Sequence, residues 1–171
     1  MGLFDKLTGT KKPDSDIPAA PRPEVANAIL AVNRPTAPFQ VRPANPGEDC
    51  DFVAEWRIVD ARWYEIFAKA SLTSVFQIQM RLDPEKAEVR AVDREWTLEW
   101  RAGVPSLSMS GEAFRGQKKE VSFGSAYAFT EQGQYGEVYN YRFRTSEMKD
   151  PIAAAVNGKG WTYRAVSFGK L

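Results

Sequence analysis

The most reactive arrangement of residues in the sequence is a carboxylate surrounded by tyrosines. Glu137 lies close to Tyr135, Tyr139 and Tyr141 in a stretch that predicts a strand. Pairing this stretch with the strand predicted before it places Glu137 on an apolar face. A buried carboxyl group has a raised pKa and can act as a general acid or base. The alternative is that the strand twists at Gly136 and Glu137 reaches solvent.

The residue types that are missing exclude most other active-site chemistry. The chain has no histidine and one cysteine, Cys50. Histidine-dependent nucleophilic catalysis and histidine-ligated zinc therefore have no donors, and an intramolecular disulfide is impossible. We expect no metal and no cofactor, which leaves Glu137 as the only catalytic candidate.

A short basic segment could bind a ligand. Arg115, Lys118 and Lys119 could hold a phosphate or an acidic partner, or could form a solvated turn. Gly111 and Gly116 have the spacing of a phosphate loop, but the Lys-Ser/Thr pair of that motif does not follow. The net charge of +1 argues against a general nucleic-acid binder.

Two apolar patches near the N-terminus are further candidates for binding. Leu3, Phe4 and Leu7 form an amphipathic patch that could touch a membrane surface weakly, dock on a partner or fray. Val25 and Ile29 repeat at helical spacing and predict a short helix. This helix could either bind a partner or pack on the chain's own domain.

The elements that position these residues divide the chain in two. Eight of the eleven prolines lie within residues 1–47, and proline blocks helix interiors and removes backbone donors. This composition predicts an extended, disordered arm over 1–47, interrupted by the two apolar patches. Residues 48–171 are predicted to form a single domain, because an apolar content of 43% can fill a core.

The domain is predicted to be α+β and mainly antiparallel β. Apolar and polar residues alternate over 52–59 and 75–82, as in strands with one buried face. We expect a meander sheet or partly closed barrel of about seven to eight strands. Two short helices are predicted at about 61–71 and 151–157, each after a capping aspartate.

Turn residues predict the register of the central strands. Turns at 83–86 and 93–96 would divide this part of the chain into three short strands. The charges of Arg81, Glu88 and Arg101 would then alternate along one polar row, which favours the pairing.

These patterns predict a non-catalytic interaction or scaffold module that binds a protein partner through the arm and the sheet face. The alternative is a cofactor-independent enzyme or a small-ligand-binding barrel built around Glu137. The sequence leaves the oligomeric state open. A single cysteine, no visible secretory signal and no apolar run long enough to cross a bilayer favour the cytoplasm.

Overall fold

The protein, seen in a computed structural model, combines an open sheet with two helices. The structure describes residues 8–58, 74–101, 104–108, 115–116, 129–132, 138–141, 145–167 and 171, and side chains within 8–58, 75–100, 145–167 and 171. The elements of this part are α1 (Arg22–Leu30), β1 (Phe39–Pro43), β2 (Phe52–Trp56), β3 (Ser74–Asp83), β4 (Glu88–Arg101), β5 (Val104–Ser108), β6 (Arg115–Gly116), β7 (Phe129–Gln132), β8 (Val138–Tyr141), α2 (Thr145–Asn157) and β9 (Thr162–Ala165).

The sheet is organised around the long strand β4. An antiparallel path runs β1-β2-β3-β4-β5, and the short strands β6 and β9 also pair with β4. One edge of β4 is taken by β3, and the other is shared by β9, β6 and β5 in turn. The predicted α+β class with a mostly antiparallel sheet is confirmed. The barrel alternative is wrong because the sheet is open, and the count of seven to eight strands is not confirmed.

The predicted register of the central strands is wrong. β4 runs without a break through 93–96, and Arg81 pairs with Arg90 rather than with Glu88. The residue types at 93–96 predict a turn, but this stretch is part of the strand. The physical reason is that Val92 and Asp93 are both buried, so the middle of β4 is covered on both faces.

The predicted disordered arm over residues 1–47 is not confirmed, because α1 and β1 lie within it. Val25 and Ile29 of α1 are fully buried, and β1 pairs with β2 across the boundary predicted at residue 47. The prolines stand where these elements tolerate them. Pro21 and Pro23 are at the start of α1, and Pro43 ends an edge strand.

Residues 8–21 form a segment, here named the strap, that lies against β9 and the residue before it, Trp161. The backbones of Lys11 and Tyr163 exchange two hydrogen bonds, of 2.9 and 2.8 Å. The indole N–H of Trp161 donates to the carbonyl oxygen of Ala20 at 2.8 Å. These bonds tie the proline-rich segment to β9 and to the turn that precedes it.

The helix predicted at 151–157 begins earlier than expected. α2 starts at Thr145, so Pro151 lies inside the helix rather than in its first turn. Its predicted end is confirmed, because Gly158 follows Asn157 in a turn and its N–H donates to the carbonyl oxygen of Ala154 at 2.9 Å. The other predicted helix, at 61–71, lies outside the described residues.

The core fills the space between the two helices and one face of the sheet, here named the core face. Trp56 lies on this face between Phe39 and Phe76, with edge-to-face ring contacts at 6.0 and 6.3 Å. The buried side chains that join the helices to this face include Val25, Ile29, Ile78, Met80, Val89, Met148, Ile152, Val156 and Tyr163.

Candidate functional site

The opposite face of the sheet, here named the second face, is polar and rich in arginine. Strand side chains alternate, so the register assigns every second residue to it. The centre of this face is covered, because Val53, Gln79 and Val92 are buried there. The arginines that follow are partly exposed and form its margin. Its arginines are Arg42 on β1, Arg81 on β3, Arg90 and Arg94 on β4, and Arg164 on β9.

Three of these arginines lie side by side. Arg81 pairs with Arg90, and Arg90 pairs with Arg164, so three neighbouring strands contribute one arginine row. Their side chains are 36%, 26% and 40% exposed, respectively. Like charges directly opposite each other destabilise a sheet unless other charges compensate them.

Carboxylates hold the arginine row in place. The buried Glu88 accepts a hydrogen bond from Arg90 at 3.2 Å and another from Arg164 at 2.6 Å. Arg81 donates to the carboxylate of Asp49 and, at 2.9 Å, to the carbonyl oxygen of Leu171. The row is therefore a place where guanidinium groups already bind carboxylates.

A second network of hydrogen bonds lies on the same face, across β1, β2 and β3. Arg42 donates to both oxygens of Glu48, at 2.8 and 2.9 Å, and to Glu55 at 2.8 Å. Glu55 also accepts from Gln77 at 2.8 Å, and the oxygen of Gln77 accepts from the indole of Trp96 at 2.9 Å. The bond from Arg42 lowers the pKa of Glu48. This chain of bonds fixes β1, β2 and β3 against Trp96.

A buried charged group on the core face was not anticipated from the sequence. Asp93 is fully buried, and one of its oxygens lies 2.6 Å from the ammonium of Lys149 on α2. The phenol oxygen of Tyr163 is buried nearby, with no hydrogen-bond partner among the described residues. Burial, and then the charge of Asp93, raise the pKa of Tyr163 well above 10.0. Asp93 and Tyr163 are closed to solvent, so a substrate could reach them only after local opening.

The break in alternation at Val92 was the one signal of this buried group in the sequence. A strand that is covered on both faces breaks the alternation in this way. The partner, Lys149, lies on a distant helix, and no local pattern links it to Asp93.

The structure brings only some of the predicted binding residues into view. Val25 and Ile29 are buried in the core. Arg115 lies on β6, where its backbone pairs with Arg94 of the second face. The remaining predictions, Leu3, Phe4, Leu7, Lys118, Lys119 and Glu137, lie outside the described residues.

The hairpin around Glu137 also differs from its prediction. The residue types at 130–134 predict a turn, whereas Phe129 pairs with Tyr141 and β7 extends to Gln132. Glu137 lies outside the described residues, and its catalytic role stays a prediction.

The described part of the chain also has a groove on its helical side. This shallow open groove of ≈ 580 Å³ lies between α1 and α2, and alanines make up half of its lining. Within the described residues, no group of three or more histidine, cysteine, aspartate or glutamate residues could hold a metal ion. None of the described helices has the length and apolar character needed to cross a membrane.

Comparisons with protein-family models, curated protein sequences and solved structures gave no match. The candidate site is therefore interpreted from its own residues.

Proposed function

We propose that the protein is a non-catalytic interaction module of the cytosol, which binds a protein partner through the second face of its sheet. The observation that carries this proposal is the arginine row. A row of like charges needs carboxylates to compensate it, and one of those in place, Asp49, is an exposed side chain that a partner's carboxylate can replace. Residues that break a local rule of stability are expected at functional sites.

The burial of α1 changes how the N-terminal segment can contribute to binding. Val25 and Ile29 are part of the core, so a partner could reach them only if α1 unpacked. The N-terminal contribution therefore reduces to Leu3, Phe4 and Leu7. We propose that this patch adds a weak contact with the partner or with a membrane surface, because three apolar side chains offer little area for burial.

Site-specific photo-crosslinking of the full chain tests which face binds. A photoreactive residue replaces Gln40, which is half-buried on the second face, or Asn27, which is exposed on α1. We expect the Gln40 probe to capture a cytosolic protein and an excess of unlabelled wild-type protein to suppress the capture. The Asn27 probe should capture no protein in this competable way.

Two outcomes would contradict the proposal. Competable capture from Asn27 alone would place the interface on the helical side of the molecule. The lack of any competable capture from Gln40 would remove the second face from the function.

A further inference from the structure

We infer that the arginine row, Arg81, Arg90 and Arg164, is a binding site for carboxylate groups, and that the partner contributes an acidic peptide segment. This inference rests on the proposed function, because it names the chemistry of the partner that the second face binds. Three observations support it. The arginines lie on neighbouring strands, they already bind the carboxylates of Glu88 and Asp49, and of these two Glu88 is buried whereas Asp49 is exposed.

The spacing of the row suits spaced carboxylates. Neighbouring strands lie about 4.8 Å apart, so three paired positions span about 10 Å. Arginine presents a planar fork of donors that matches the two oxygens of a carboxylate. Glu88 already accepts from both Arg90 and Arg164, so one carboxylate can bridge adjacent members of the row.

The two resident carboxylates differ in how easily they can be replaced. Glu88 is buried between its arginines and belongs to the frame of the site. The side chain of Asp49 is 83% exposed, and it lies in the loop before β2. Exposed ion pairs contribute little to stability, so an incoming carboxylate can take the place of Asp49 on Arg81.

Glu88 also favours carboxylates over phosphate as the ligand. Its negative charge lies inside the row, beside Arg90 and Arg164. Like charges repel, and the repulsion of a compact dianion is larger than that of singly charged groups spread along a peptide. An acidic peptide can place its carboxylates on either side of Glu88.

The first test measures binding of a fluorescent oligoglutamate peptide to the full chain at low salt. Oligoglutamine of the same length is the control ligand and should not bind. Arg164→Gln should weaken oligoglutamate binding by about five-fold, which corresponds to the loss of one partly exposed ion pair. Glu88 keeps its bond from Arg90 in this variant, so the sheet should remain folded.

A matched variant controls for charge alone. Lys159→Gln also removes one positive charge, from a side chain that is 41% exposed against 40% for Arg164. Lys159 lies after α2, away from the second face. Equal weakening by the two substitutions would show that binding depends on net charge, and would overturn the inference.

A second variant tests the resident carboxylate directly. Asp49→Asn removes the charge that competes for Arg81, so it should tighten oligoglutamate binding by about two- to five-fold. Because Asp49 is exposed, this substitution should leave the fold intact. Unchanged or weaker binding would mean that Arg81 does not receive the peptide.

Further ligands separate the possible sources of negative charge. Inorganic phosphate and phosphatidylserine vesicles should bind more weakly than oligoglutamate. Preferential binding of either would overturn the assignment to an acidic peptide. If the wild-type protein does not bind oligoglutamate but still crosslinks from Gln40, this inference is rejected and the proposed function stands. Failure of both experiments would reject the proposed function as well.

Discussion

The two faces of the central sheet are built from the same strands but are held by different forces. On the core face, Ile78 and Met80 pack under the helices, where apolar burial dominates. On the second face, Arg81 and Arg90 are held by ion pairs at a partly exposed surface. The difference lies in the forces, because apolar burial holds the core face and paired charges hold the margin of the second face.

The largest expected effect comes from removing residues 1–47. This deletion takes away α1 and β1, and with them Val25, Ile29 and Phe39 of the core. We expect the 48–171 fragment to lose cooperative unfolding, which urea denaturation followed by circular dichroism would detect. The sequence alone predicts the opposite, because it assigns these residues to a dispensable arm. If the fragment unfolds at the same urea concentration as the full chain, residues 1–47 do not contribute to the core.

A pair of single substitutions compares the two faces directly. Ile78→Ala removes a fully buried side chain from the core face and should lower the free energy of unfolding by about 2–5 kcal/mol. Arg164→Gln on the second face should lower it by less, about 1–2 kcal/mol, because the buried Glu88 loses one bond and keeps that from Arg90. Chemical denaturation of both variants measures the contrast. Similar losses would mean that both faces contribute equally to stability.

A pair of glycine substitutions tests how tightly the strap packs against Gly160, in the turn between α2 and β9. A Cβ on Gly160, at φ 72°, would lie 2.3 Å from the carbonyl oxygen of Pro18. Gly47, at φ 93°, has no heavy atom within 4 Å of such a Cβ. Gly47→Ala should therefore cost only backbone strain, about 1–2 kcal/mol. Gly160→Ala should cost about 1–3 kcal/mol more, because the strap must move. Equal losses would show that the strap is loosely packed.

The smallest effect at neutral pH is expected for Tyr163→Phe. The phenol has no described hydrogen-bond partner, so removing it should be neutral or slightly stabilising, within about 1 kcal/mol. The raised pKa of Tyr163 gives the pH dependence its sign. Above the ordinary tyrosine pKa of 10.0, the unfolded chain loses this proton before the folded protein does, so stability falls as pH rises.

Urea titrations of wild type and Tyr163→Phe at about pH 8 and about pH 10.5 measure this dependence. The wild type should lose more stability than the variant between the two pH values. A parallel loss in both proteins would mean that the phenol is hydrated or hydrogen-bonded in the folded state.

Local patterns predicted the faces of individual strands but not their pairing. Alternation placed Phe76 and Ile78 on the buried face of β3, as observed. The register failed because the turn after β3 contains Ala87 at φ 49°, a conformation that no sequence signal indicates for alanine. The burial of Asp93 was not predictable from local sequence, because its charge partner, Lys149, is distant in the chain.

The candidate site was harder to predict because it exists only after long-range pairing. Arg164 joins Arg81 and Arg90 only through the parallel pairing of β9 with β4. The sequence instead predicted a row of alternating charges, since it had no information on that pairing. Composition was similarly misleading for α1, where prolines mark the element boundaries rather than disorder.

The most direct test of this account is Gln40 photo-crosslinking in an Arg81→Gln/Arg164→Gln double variant. Arg90 is retained so that the buried Glu88 keeps a positive partner. We predict that the competable crosslink from Gln40 is lost while the double variant remains folded. A crosslink of wild-type yield would contradict the claim that the arginine row binds the partner. Loss of the crosslink together with the fold would contradict the separation of the two faces.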